Sequence, residues 1–171
     1  MAVKTQKVST GYVPRPLQAE IHKSLRRFNV LVLHRRFGKT VLSINEMVDR
    51  ALRNTNKSPQ YAYIAPTYGQ AKRVAWEYIK DFTRKIPGAK ANEADLLDEY
   101  AEMDPTIWSQ VIRPALSDRQ GWAIFIGTPK GQNHFYNLYS QAQQYEDWYV
   151  RMFRASETKV IAESELEAAQ R

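Results

Sequence analysis

LVLHRRFGKT, residues 31–40, ends with the signature of a phosphate-binding loop but begins without it. The P-loop pattern is G-x-x-x-x-G-K-[ST], and Gly38, Lys39 and Thr40 supply its last three positions. Its first glycine would stand at position 33, which is Leu33. The stretch is therefore a damaged loop, a working variant or a chance tripeptide, and its neighbours in the chain decide between them.

The flanks of this stretch have the pattern that a P-loop needs. Val30–Leu33 is an uninterrupted apolar run, typical of a parallel strand buried on both faces. From about Thr40 to Arg53, apolar residues recur at three- and four-residue spacing, which predicts a helix. Loop N–H groups converge on phosphate where a strand leads through a turn into a helix. The sequence thus favours a working variant, in which the strand runs one residue further and ends in Leu33.

The loop also has the chemistry for a nucleotide. Lys39 is a point charge for the β- and γ-phosphates, and the Thr40 hydroxyl is placed to ligate Mg²⁺. His34 and the two arginines after it add donors and positive charge beside the phosphates. We therefore expect ATP and Mg²⁺ as cofactors. The residues expected to form the binding loop are Arg35, Arg36, Phe37, Gly38, Lys39 and Thr40.

Helices and strands alternate in the rest of the chain, which predicts an α/β fold with a mostly parallel sheet flanked by helices. The first helix is predicted over residues 16–27, where Pro16 suits the first turn. Further strands are predicted at 61–65, 122–127 and 148–153, and further helices at 71–82, from 104, and at 132–145.

Composition narrows the function classes. The 171 residues include no cysteine, which excludes disulfides, thiolate metal sites and cysteine nucleophiles. No apolar run approaches the ~20 residues of a membrane span, so we expect no membrane partner. The net charge of +7 suits a polyanion such as nucleic acid, but the basic residues are scattered and equally suit a solvated surface.

Three further places could complete a nucleotide site. Asp98 and Glu99, within LLDEYAEMDP at 96–105, form the acidic pair of a Walker B segment. Asp98 would hold Mg²⁺ through water, and Glu99 would orient and deprotonate the attacking water. Thr128, after the strand at 122–127, could sense the γ-phosphate, and the Gln18 amide could pair with adenine. Alone, an acidic pair is usually a solvated face and Gln18 an exposed helix position.

Taken in order, several stretches resemble the ATPase domain of a tailed-phage terminase large subunit. They are PRPLQ, HRRFGKT, IAPTYGQAK, LLDEYAEMDP, IRPALSDRQGWAIFIGTPKG and ASET, and they cover about residues 10–160. The resemblance implies a P-loop NTPase fold of the additional-strand, catalytic-glutamate type, which tolerates a loop without the first glycine. It implies an ATP hydrolase that couples Mg-ATP hydrolysis to packaging of viral double-stranded DNA.

The resemblance also implies residue roles and partners. Arg35 would act as an arginine finger in cis, Thr128 as the coupling-motif residue, and Arg119 is a weaker candidate for contacting a neighbouring subunit's nucleotide. The implied partners are double-stranded viral DNA, the portal protein and the small terminase subunit, with a homo-oligomeric ring as the active form. The implied location is the bacterial host cytoplasm, docked on the procapsid portal.

One departure from the family concerns the Walker B segment. Only Leu96 and Leu97 lead into Asp98 as an apolar run, whereas a strand typically has about 5–6 residues. We therefore expect an internal deletion near residues 90–97, which can leave the sheet incomplete. If Leu96 and Leu97 pair beside Val30–Leu33 on so short an anchor, ATP binding should survive better than turnover.

The other departure concerns the end of the chain. The family continues into a nuclease domain, which we expect to be absent here. The expected organisation is an ATPase domain at 1–155 followed by the start of a lid or linker helix at 156–171.

Two other functions share these motifs. A truncated prophage remnant would bind nucleotide or DNA without efficient turnover. A helicase-like translocase fragment would share the P-loop and the acidic pair, but helicases need a second motor domain for which this chain has no room.

Overall fold

The computed structural model describes residues 8–56, 59, 61, 75–89, 110, 113–118, 121–128 and 134–162. Within these ranges it has six α-helices and three β-strands. They are α1 (Pro16–Ser24), β1 (Phe28–Leu33), α2 (Lys39–Arg53), α3 (Glu77–Thr83), α4 (Arg113–Asp118), β2 (Ala123–Gly127), α5 (His134–Ala142), β3 (Trp148–Phe153) and α6 (Ala155–Thr158). In the described part of the chain, no helix is long and apolar enough to cross a membrane.

The chain divides into two compact units. The first, the helical unit, comprises Met1–Pro14 and Thr40–Met103, and it holds α3 and all of α2 after Lys39. The second, the sheet unit, comprises Arg15–Lys39 and Asp104–Arg171, and it holds the three strands with α1 and α4 to α6.

The sheet unit is built on three parallel strands in the order β2-β1-β3. In register, Phe28 of β1 pairs with Ala123 of β2 and with Trp148 of β3. All six residues of β1 are buried, as its apolar run predicts for a central parallel strand. The strand continues through Leu33, so the predicted extension by one residue is confirmed.

Helix α5 covers one face of this sheet. Alternate residues of β1 point to the same side of a strand, and Phe28, Val30 and Val32 form one core cluster with Trp148 and Ala142. The Phe28 and Trp148 rings lie 5.2 Å apart between centroids. The α5 side chains that pack against this cluster are Phe135, Leu138 and Tyr139.

The pairing predicted for Leu96 and Leu97 beside Val30–Leu33 is wrong. Both edges of β1 are occupied, one by β2 from Phe28 to Val32 and the other by β3 along the whole strand. A central strand has no third edge to offer. Residues 96 and 97 themselves, like the deletion expected near 90–97, lie outside the described residues.

The strand predicted at 148–153 has these bounds in the structure, and the one predicted at 122–127 begins one residue later, at Ala123. The start of the helix predicted from 104 lies outside the described residues. The first helix ends at Ser24 rather than 27, because Leu25 turns to extended backbone, with ψ 136°, on the way into β1. The helix predicted at 132–145 spans His134–Ala142. The strand predicted at 61–65 lies outside the described residues except for Tyr61.

The helical unit has a small core of its own. Ile44 and Val48 of α2 are buried with Ala75, and Ile79, Phe82 and Ile86 pack against them. The segment before α1 joins this unit: the Thr10 hydroxyl donates to Asn45 Oδ1 at 2.9 Å, and the Tyr12 ring meets Phe82 edge-on.

Candidate nucleotide-binding loop

The phosphate-binding motif follows β1 directly and leads into α2. Leu33 ends the strand and Lys39 begins the helix, so His34–Lys39, hereafter the phosphate loop, makes the connection. Because β1 lies between two parallel neighbours, the loop stands at the carboxyl edge of the sheet, where open α/β sheets bind ligands. The predicted sequence of strand, loop and helix is confirmed.

Two residues of the loop have left-handed backbone conformation, Arg36 with φ 65° and Gly38 with φ 86°. Glycine adopts this conformation without a Cβ penalty. A Cβ at position 38 would also lie 2.8 Å from both Arg15 Nη2 and Gln18 Nε2, so no larger residue fits there without displacing them. Arg36 lacks that freedom, and such a residue costs about 1–3 kcal/mol, a cost that clusters at functional sites.

Phe37 anchors the loop in the core of the sheet unit. Its side chain is 1% exposed and stacks on Phe153 of β3, with ring centroids 5.7 Å apart. The Phe37 carbonyl accepts hydrogen bonds from Gln18 Nε2, at 3.2 Å, and from Arg15 Nη2. Two kinds of contact therefore hold the loop: the buried Phe37 ring packs in the core, and two side-chain donors bond to the Phe37 carbonyl.

Gln18 belongs to this arrangement and is not an exposed helix residue. It is buried on α1, and its Oε1 accepts the Arg15 backbone N–H at 3.0 Å while its Nε2 donates to Phe37. The exposed-position alternative is therefore wrong. Contact with adenine remains a prediction, because both ends of the Gln18 amide bond to backbone groups here.

His34 and Lys39 bring the two ends of the loop together. Lys39 Nζ donates to the carbonyls of Leu33, at 3.2 Å, and His34, at 3.0 Å. The buried His34 ring contacts the Arg35 carbonyl through Nδ1, and its Nε2 lies 2.7 Å from Thr158 Oγ1 on α6. Thr158, which ends the ASET stretch, thus contacts the loop directly. No role was predicted for it from the sequence.

The electrostatics of the loop suit an anion. Burial, and then the positive charge of Arg35, lower the pKa of Lys39 below its ordinary value. Both effects disfavour the ammonium ion, and an anionic ligand beside it would offset them. Together with the loop's backbone N–H groups and the helix that follows, these side chains fit the phosphates of a nucleotide.

Other predicted site residues stand near the loop in sequence or by register. Gly127 pairs with Val32, so Thr128 lies beside the end of β1 at the same edge of the sheet. Thr40 follows Lys39 in α2 and offers a hydroxyl oxygen, a donor type that suits Mg²⁺. Asp98, Glu99 and Arg119 lie outside the described residues, and the roles expected of them remain predictions.

The parallel sheet and the phosphate loop together define an α/β protein of the P-loop type. No family model matches the chain. It is 29% identical over 178 residues to the terminase large subunits of Thermus phage G20c and Thermus virus P23-45, with 75% of this chain and 36% of each relative aligned. The chain thus spans little more than a third of the length of these curated relatives.

Solved structures give the same result for the fold. An arginine-to-alanine variant of the large terminase ATPase domain from Thermus phage P74-26 has a TM-score of 0.70 and 25% identity, covering 95% of this chain and 89% of that one. A second structure of that domain has a TM-score of 0.64 and 25% identity, covering 84% and 82%. The resemblance to the terminase ATPase domain expected from the motifs is confirmed.

Proposed function

We propose that this chain is the ATPase motor domain of a phage terminase large subunit, coupling Mg-ATP hydrolysis to the packaging of viral double-stranded DNA. One observation carries the proposal: a phosphate loop with Lys39 and Arg35 stands at the carboxyl end of the central strand. The similarity to terminase ATPase domains, which extends over 95% of the chain in one structure, supports the same function.

The loop residues divide the work of binding ATP. Lys39 exchanges its contacts with the Leu33 and His34 carbonyls for contacts with the β- and γ-phosphates, which offsets its desolvation. Backbone N–H groups of the loop and the start of α2 bind phosphate oxygens. Arg36 adds positive charge, while Phe37 and Gly38 keep the loop in shape, and Gln18 would reach adenine from α1.

Hydrolysis would use residues from three parts of the chain. Mg²⁺, held by Thr40 and through water by Asp98, would neutralise charge on the β- and γ-phosphates. Glu99 orients the attacking water and takes its proton, and Arg35 stabilises the charge that develops as the bond to the leaving group lengthens. Thr128, at the end of β2, senses the γ-phosphate.

The remaining parts of the proposal concern rate and assembly. ATP binding should survive better than turnover, because the phosphate loop is local in sequence whereas hydrolysis also needs Asp98 and Glu99 in register with it. Packaging would require a homo-oligomeric ring, docked with the small terminase subunit on the procapsid portal in the bacterial host cytoplasm. The net charge of +7 supports contact with the DNA backbone, which is sequence-independent and weakens as salt rises.

Two measurements on the purified chain test this function, an equilibrium titration with Mg-ATP and a steady-state assay of phosphate release. Lys39→Ala removes a charge-assisted phosphate contact and should weaken binding about 100-fold, which corresponds to about 2.7 kcal/mol. Glu99→Gln should lower the rate while leaving affinity within about twofold.

Lys23→Ala is the matched control, because Lys23 is an exposed lysine on α1 in the same unit as the loop. It should titrate like the parent. The proposal fails if Lys39→Ala binds Mg-ATP as well as the parent, and a parent that binds but releases no phosphate would support the remnant instead.

A further inference from the structure

His34 contacts several residues at the start of the phosphate loop. Its carbonyl accepts from Lys39 Nζ at 3.0 Å. Its ring meets the anchoring ring of Phe37 edge-on, with centroids 5.6 Å apart. Its Nε2 lies 2.7 Å from the Thr158 hydroxyl, 124 residues further along the chain. The residue that helps to place the lysine is thus itself placed by Thr158.

The hydrogen-bonding atoms fix the direction of this contact. The Arg35 carbonyl can only accept, so the Nδ1 atom of His34 that contacts it carries a hydrogen. When the ring is neutral, Nε2 is then an acceptor, and the single hydrogen of the Thr158 hydroxyl goes to this nitrogen at 2.7 Å rather than to the Ala155 carbonyl, which lies further away at 3.3 Å. A residue without a hydroxyl at 158 would leave this buried ring nitrogen without its donor.

The segment that carries Thr158 is held in place by its own local contacts. Helix α6 begins just after β3, and two hydrogen bonds join Arg154 and Glu157 at its start: the Arg154 N–H donates to Glu157 Oε2 at 3.2 Å, and the Glu157 N–H donates to the Arg154 carbonyl at 3.1 Å. The helix ends at Thr158, and Lys159 follows in left-handed conformation with φ 51°. A turn fixed at both ends presents one hydroxyl to the loop at a defined position.

We propose that Thr158, acting through His34, is a positioning residue for the phosphate loop, so that this hydrogen bond and polyphosphate binding are energetically coupled. The inference rests on the proposed function, because it requires that the loop bind a nucleotide. Thr158 has no contact with the nucleotide in this scheme. It acts by fixing the ring of His34, and with it the carbonyl from which Lys39 reaches the phosphates.

The test is a titration of the full chain and its variants with Mg-ADP. Thr158→Val keeps the shape of the side chain but removes the donor, and should weaken binding about three- to tenfold, the usual worth of one hydrogen bond. Thr158→Ser keeps the donor and should stay within about twofold of the parent. Ser156→Ala, at an exposed position on the same short helix, should have no effect.

Substitutions of His34 separate positioning from simple support of the fold. The amide of His34→Asn overlays Nδ1 and keeps the contact with Arg35, whereas that of His34→Gln overlays Nε2 and keeps the contact with Thr158. His34→Asn should therefore match Thr158→Val, and His34→Gln should retain more of the parent's affinity. The double variant His34→Asn with Thr158→Val should bind no worse than His34→Asn alone, because both remove the same bond.

The outcomes distinguish failure of this inference from failure of the proposed function on which it rests. A parent that does not bind Mg-ADP overturns both. If the parent binds in a Lys39-dependent way and Thr158→Val titrates like the parent, only the inference is overturned, as it is if the two His34 variants lose affinity equally. Circular dichroism reports folding, and if Thr158→Val is unfolded at the assay temperature, the comparison of the two His34 variants decides.

Discussion

Polar side chains lie at both ends of β1. Those at the amino end stabilise the fold, whereas those at the carboxyl end suit a bound anion. At the amino end, Asn29 is fully buried and bonds only within the protein. Its Oδ1 accepts the Arg26 N–H at 2.8 Å, and its Nδ2 donates to the carbonyls of Arg26, at 2.9 Å, and Ala123, at 3.0 Å. These hydrogen bonds join β1 to Arg26, which lies just before it in the chain, and to β2.

Arginines show the same contrast. At the amino end, Arg26 Nη1 donates to the Glu146 and Trp148 carbonyls, and Arg27 Nε donates to the Gly121 carbonyl at 3.1 Å, so both reach residues at the starts of neighbouring strands. At the carboxyl end, burial lowers the pKa of Lys39, and the positive charge of the exposed Arg35 lowers it further. The hydrogen bonds at the amino end thus stabilise the fold. At the carboxyl end, the burial of Lys39 and its repulsion from Arg35 are unfavourable, and a bound anion would offset both.

The largest expected effect is a loss of stability on substitution at the amino end of β1. Asn29→Ala removes three part-buried hydrogen bonds, to the Arg26 N–H and to the carbonyls of Arg26 and Ala123, and should lower the free energy of unfolding by about 2–4 kcal/mol. Nucleotide affinity of the folded protein should stay within about twofold of the parent. Urea denaturation and a Mg-ADP titration measure the two quantities. Asn137→Ala, at an exposed position on α5, is the control and should change neither.

A smaller loss of stability, with a larger loss of affinity, is expected at the carboxyl end. Gly38→Ala places a Cβ in a left-handed residue and against Arg15 and Gln18, and should cost about 1–3 kcal/mol of stability. The side chains of Arg15 and Gln18, which hold the Phe37 carbonyl of the loop, must shift to admit it, so affinity for Mg-ADP should fall at least about tenfold.

Gly88→Ala is the matched control for this substitution. Gly88 has nearly the same backbone conformation, with φ 80°, but nothing lies within 4 Å of the position of its Cβ. It should show the conformational cost without the loss of affinity. Equal losses of affinity in both variants would contradict the assigned role of the contacts at Gly38.

The smallest effect concerns pH. Because the pKa of Lys39 is lowered in the folded protein, the unfolded chain binds more protons between the folded and ordinary pKa values. The free energy of unfolding of the parent, relative to Lys39→Met, should therefore rise with pH towards the ordinary lysine pKa of 10.5. Urea titrations across that range measure it. A difference that falls as pH rises would show that the pKa is raised instead.

The features predicted correctly from the sequence are those that local pattern determines. The unbroken apolar run before the loop predicted a central strand, and the spacing after it predicted a helix beginning near Thr40; β1 and α2 agree with both. Loss of the first glycine was interpreted as a longer strand, and Leu33 pairs with Phe153 as the last residue of β1.

The contacts that shape the loop could not be predicted in the same way. Phe37 stacks on Phe153, and His34 reaches Thr158, across separations over which helix and strand periodicities have no information. The neighbours of β1 were misassigned for a related reason. An acidic pair after two leucines suggests a strand, but hydrophobic pattern does not state which strands lie side by side.

The parallel sheet has a consequence for how the protein is made. β1 is synthesised before both of its partner strands, because Phe28 pairs with Ala123 of β2 and with Trp148 of β3, and both lie far beyond it in the chain. Pairings this distant in sequence form slowly, since the entropy of closing a long loop must be overcome first. The contacts that fix the phosphate loop form later still, because they require Phe153 and Thr158. A ribosome-bound chain stalled before residue 123 should therefore display β1 as an unprotected apolar segment, a target for chaperones.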